Sequence, residues 1–150
     1  MADLTTTIQE TVQLNGSLRG SVNTVTTTGI NDVMERILTV TGDVAVTTTL
    51  AVFAALPSTS PGAIDVDRTR YVRVTNLDPS VVIELAIQTT TSSYTVTLRA
   101  GASHILYSGD VIALGEVGTP TFGTMLDLAS IQARPTTAFP VRVELFVGVE

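Results

Sequence analysis

The chain has no cysteine, no lysine and no tryptophan, and it has one histidine. Without cysteine there are no disulfides, thiolate metal sites or thiol nucleophiles. Without lysine there is no Schiff-base chemistry. His104 would have to be the base of any serine triad, and no Gly-x-Ser-x-Gly elbow accompanies it. Three tyrosines and four phenylalanines leave few rings for stacking on a sugar. Charge is also scarce, at 15% of residues against about 25% in an ordinary domain. The basic residues are scattered arginines under a net charge of −6, so no patch for nucleic-acid phosphates is visible. The longest near-continuous apolar stretch, Leu50 to Leu56, falls far short of the ~20 residues of a membrane-spanning helix. Met1-Ala2-Asp3-Leu4 begins with an acid and no apolar run follows, which predicts no signal peptide.

What remains is alternation. Leu4, Thr6, Ile8, Glu10, Val12 and Leu14 fall on one side of an extended segment, with threonine and glutamine between them. Asn15-Gly16 is a strong hairpin signal, and Leu18, Gly20 and Val22 continue the alternation on a return strand. Gly29 to Val40 carries a capping-box pattern at Asp32 to Glu35 but ends strand-like, and it is read as a strand. Thr41-Gly42-Asp43 predicts a turn, Val44 to Val52 a strand, and Pro57 to Arg68 a loop. Further strands are expected around Val72, from Val81 to Ile87, from Tyr94 to Leu98, through Ile105 and Tyr107, and from Val111 to Leu114. Met125 to Ala133 has no clean period and suggests a bulge or a helical turn. Val141, Val143, Leu145, Val147 and Val149 form the inward face of a last strand. Short alternating strands between turns predict one all-β domain over residues 1–150, an antiparallel, jelly-roll-like β-sandwich. A long N-terminal β-hairpin (residues 1–28) would either join its core or reach a neighbour. A chain of 150 residues buries roughly 70% of its unfolded surface, enough for a core without staples.

Candidate chemistry is thin. Threonine triplets at 5–7, 26–28, 47–49 and 89–91 have no fixed spacing, so they read as solvent-facing strand surface rather than a ranked ice-binding face. His104 reads as a strand-edge residue making one hydrogen bond. Asp65-Val66-Asp67 could offer oxygens to calcium, but Arg68 and Arg70 follow at once, and local charge pairing is expected instead. No catalytic residue, cofactor or metal site is expected.

Several stretches resemble a known group. They are Asn15-Gly-Ser-Leu-Arg-Gly-Ser, Gly29-Ile-Asn-Asp-Val-Met-Glu-Arg-Ile, Arg70-Tyr-Val-Arg-Val-Thr-Asn-Leu-Asp, Val82-Ile-Glu-Leu-Ala-Ile, Leu98-Arg-Ala-Gly-Ala-Ser-His-Ile-Leu and Phe122-Gly-Thr-Met. Their order resembles small virion structural proteins of tailed bacteriophages, especially those of marine bacteria and cyanobacteria. The resemblance implies a non-enzymatic particle component and carries over no functional residues. Its leading expectation is a capsid decoration (cement) protein on the outer shell, a homo-oligomer and most simply a trimer. Its partners would be the major capsid protein or other virion proteins, with no nucleic acid or membrane. A tail, neck or fibre-base component is the alternative, and a carbohydrate-binding sandwich a further one. In the leading case Leu4, Ile8, Val12, Leu14, Leu18 and Val22 of the hairpin are the expected intersubunit contacts.

Overall fold

β-Branched residues at alternate positions favour strands wherever one face can be buried, and this chain forms twelve among its described residues. The computed structural model describes residues 1–111 and 123–150. The strands are β1 (Ala2–Leu14), β2 (Ser17–Ile30), β3 (Asp32–Val40), β4 (Thr48–Ala54), β5 (Ile64–Asp65), β6 (Thr69–Asn76), β7 (Ile83–Thr89), β8 (Ser93–Leu98), β9 (Ser103–Leu106), β10 (Asp110–Val111), β11 (Leu126–Pro135) and β12 (Val141–Val149). β1 and β2 form a ribbon of their own. A second sheet has the order β3-β12-β6-β9, and a third the order β5-β4-β11-β7-β8, with β10 also on β11.

The pairing is nested. With the two-residue strands β5 and β10 set aside, the strand following the ribbon pairs with the last, β3 with β12. Inside that pair come β4 with β11, then β6 with β9, then β7 with β8. Each of these pairs is antiparallel, as though one long hairpin had been folded over and rolled into two facing sheets. Among the described residues, only the short β4–β5 contact is parallel.

The facing sides make the core. Val72, Val74, Val143, Leu145 and Val147 from one sheet meet Phe53, Ile83, Leu85, Ile87, Leu128, Ile131 and Ala133 from the other. Asn76 is buried at the end of β6. Its Nδ2 donates to the carbonyls of Val81 (2.8 Å), Leu98 (3.2 Å) and Arg99 (3.2 Å), tying three segments together. The turn that follows is held by Asp78, whose carboxylate accepts from the Val81 and Ser80 amides. Those bonds hold the Asp78 carboxyl below its usual range.

Most predicted strands are present, and the stretch after Gly29 is strand, not helix. The predicted strand over Val44 to Val52 begins only at Thr48. Residues 44 to 47 turn instead, where the Asp43 carboxylate accepts from the Ala45 amide and the Asp43 carbonyl from that of Val46. Within β4, Leu50 and Ala51 are buried side by side, because a register irregularity against β11 there turns two consecutive residues inward. The predicted loop over 57–68 contains β5. β11 takes the bulged alternative, with register shifts on both sides of Ser130 and Ile131. Of the strand expected from Val111 to Leu114, Val111 belongs to β10 and the rest lies outside the described residues, as does Phe122.

Candidate functional site

The unusual part of the molecule is the ribbon. Its turn uses Asn15 and Gly16, both with positive φ (50° and 77°), the conformation a two-residue hairpin needs to match the strand twist. From there the ladder runs back with Leu14 opposite Ser17, Val12 opposite Arg19, Glu10 opposite Ser21 and Ile8 opposite Asn23. Gly20 is required by the close approach of the strands, since a Cβ there would collide with the Glu10 carbonyl. Thr7 and Thr24 share a hydrogen bond across the ladder (3.3 Å), and Ser21 donates to Glu10 (3.2 Å).

Residues directly opposite each other share a face. One face of the ribbon therefore carries Leu4, Ile8, Val12 and Leu14, with Glu10 and Arg19. The other carries Val22 and Leu18, opposite Gln9 and Gln13, with Thr5, Thr7, Thr11, Thr24 and Thr26. The six expected contact residues are thus divided four and two between opposite faces rather than lying in one stripe. The division follows from the two-residue turn: with Leu14 opposite Ser17, even positions on β1 face odd positions on β2.

Only the base of the ribbon is docked. Gly148 of β12 lies on the outer face of its sheet, and Leu4 Cδ2 and Ile30 Cδ1 stand 3.7 and 3.3 Å from where its Cβ would be. Beside them Tyr71 is buried, edge-on to Phe146 (5.9 Å between centroids) and Tyr107 (5.6 Å). Arg73 reaches Glu144 at 2.9 Å, donates to Thr75 and lies 5.7 Å from the Phe146 ring centroid. Thr5 to Ile8 stand off from the sheet and line a cleft of about 430 Å³ with Tyr71, Arg73, Ser103, Ile105 and Phe146. Beyond Thr6 on β1, and up to Thr26 on β2, every residue is exposed. Val12 and Leu14 are 54% and 55% exposed, and Leu18 and Val22 are 74% and 62%. Fully burying such a side chain is favourable by about 1.5–3 kcal/mol, most of which is forgone here. A lone two-stranded ribbon is marginally stable in water at best.

The remaining candidates are structural in their contacts. His104 sits on the edge strand β9, and its Nε2 shares a 3.1 Å hydrogen bond with the Tyr94 hydroxyl. Burial depresses the imidazole below its usual range and raises the phenol above its own. No carboxylate among the described residues hydrogen-bonds His104. Asp65 and Asp67 do not form the expected pairs with Arg68 and Arg70. The Arg70 guanidinium instead bonds the Glu150 carboxylate and the Asp67 carbonyl, because β12 ends beside β6. Among the described residues, Asp65 Oδ1 is buried without a hydrogen-bond partner. On the outer face of the other sheet, Glu84, Gln88, Thr95, Gln132 and Arg134 line a polar hollow of about 210 Å³ with no aromatic ring among its lining residues.

No family model matches this chain, and neither the curated proteins nor the solved structures contain a significant match to it.

Proposed function

We propose that this chain is a structural component of a tailed-bacteriophage particle, a capsid decoration protein on the outer shell whose β1–β2 ribbon grips its neighbours. It acts as a homo-oligomer, most simply a trimer, with the major capsid protein as its other partner, and it performs no catalysis. One observation carries the reading: a long ribbon, ordered by its own ladder and docked at its base, exposes apolar side chains on both faces. Ribbons of this kind suit contact with other chains, through free strand edges and through side-chain faces. Several weak contacts made at once by one oligomer hold firmly through effective concentration.

The nested pairing supports the jelly-roll reading of the sandwich, an architecture found in capsid and lectin domains alike. The polar hollow gives the lectin alternative little to stand on without rings for stacking. Quantitative mass spectrometry of purified particles tests the function. A decoration protein should be present in numbers comparable to the shell's lattice points. A copy number matching the tail symmetry would move the chain to a tail, neck or fibre-base position, and absence would end the reading.

A further inference from the structure

We propose that the distal ribbon of one copy docks on the outer face of β3 in the next copy, head to tail around a closed ring. The inference rests on reading the ribbon as a contact arm, and it names the arm's partner as a second copy of this chain.

The ribbon points away from its own sheet. Its base lies over β12 at Gly148, and Thr5 to Ile8 share their cleft with Ser103 and Ile105 of β9. β9 is an edge strand, so the ribbon crosses the sheet towards that edge and continues past it. The six residues beyond Ile8, ending at Leu14, extend it by about 20 Å. At the opposite edge of the same sheet is β3. A neighbouring copy placed edge to edge would present its β3 under the overhanging ribbon.

β3 exposes a surface that matches the ribbon. Val33, Glu35 and Ile37 stand opposite Gly148, Phe146 and Glu144 of β12, and so point to the outer face. Val33 and Ile37 are 46% and 62% exposed. The result is an apolar, acidic, apolar row. The ribbon face continuous with Leu4 and Ile8 carries Val12 and Leu14 with Arg19 opposite Val12, an apolar surface with one base. Neither Arg19 nor Glu35 has an ion-pair partner among the described residues. Glu10, the other charge on that ribbon face, is hydrogen-bonded by Ser21. Docking would pair Arg19 with Glu35 of the next copy and cover two apolar patches that each copy otherwise leaves in water. The contact joins two different surfaces, so it propagates head to tail and closes where the rotation allows.

Sedimentation velocity on the full chain, from low to high micromolar concentration, tests this. The wild type should reach a finite oligomer. Arg19→Glu and Glu35→Arg should each raise the dissociation constant at least about tenfold by setting like charges together. The double variant should restore association, a result that a nonspecific charge effect would not give. A Leu18→Thr, Val22→Thr variant, altered only on the opposite ribbon face, should keep the wild-type mass. All four positions are exposed, so folding is not at stake, and circular dichroism checks it. The inference is overturned if the wild type stays monomeric, if either reversal leaves the mass unchanged, if the double variant fails to associate, or if the Leu18, Val22 variant dissociates. A chain that is monomeric yet present on shells would sink this inference and leave the proposed function standing. A ring absent from particles would do the reverse.

Discussion

Leu4 rests on the bare Cα of Gly148, its Cδ2 3.7 Å from the place a Cβ would occupy. The missing side chain on β12 lets the ribbon's base close over Tyr71. Gly148→Val should push Leu4 and Ile30 off the sheet and expose Tyr71, while the core of the sandwich on the other face stays intact. The expected cost is about 1–3 kcal/mol, as for overpacking elsewhere. Amide hydrogen exchange should show faster exchange at the base of β1 with little change in β12. Equal loosening of both strands would mean that the base is not an independent latch.

Shortening the ribbon separates its two parts. Ile8 stands opposite Asn23, so residues 9–22 can be replaced by Asn-Gly without changing the register. The melting temperature of this variant should stay within about 2 °C of wild type, because every removed residue is exposed and none belongs to the core. Association should be lost. Deleting residues 4–27 should cost more, since it also uncovers Tyr71 and Gly148. A thermal melt and light scattering on both variants check this, and unfolding of the shorter truncation would show that the distal ribbon belongs to the core.

Asn76 is the polar group on which the sandwich most depends. Asn76→Ala removes the donor shared by the Val81, Leu98 and Arg99 carbonyls. Leaving such groups unsatisfied costs about 1–3 kcal/mol, read as a lower denaturation midpoint in urea with an unchanged slope. A loss near zero would mean that water replaces the amide.

His104 makes stability depend on pH. Its pKa is lowered in the fold by burial, so below about pH 6.5 the unfolded chain takes up a proton that the folded chain does not. Stability should therefore decline as pH falls from 6.5 towards the folded-state pKa, and be unaffected by this group above about pH 7.5. His104→Gln should flatten the urea midpoint across that window. An equal decline in the variant would assign the effect to carboxylates.

The strands were legible where one face is buried and one is wet. Val141 to Val149 alternates because the core lies on one side only. The same rule misplaced the start of β4: Val44 and Val46 alternate in sequence, but they lie in a turn fixed by Asp43, and both are exposed. Tyr71 and Val72 are both buried although they point to opposite faces, because the ribbon's base covers one of them, and no local pattern reveals that cover. Arg70 follows Asp67 by three residues and donates to its carbonyl, yet its ion pair is with Glu150, a partner supplied by sheet topology. The division of the ribbon's apolar residues between two faces was legible in principle, since the Asn15-Gly16 turn fixes the parity.

The proposed role of the ribbon is that of a contact arm in a particle component. Electron cryomicroscopy of phage particles purified from cells that produce this chain tests that role. The expected result is the chain on the outer shell at lattice points, with residues 9–22 of each copy packed against another chain. Ribbons standing free in solvent, or particles without the chain, would contradict it.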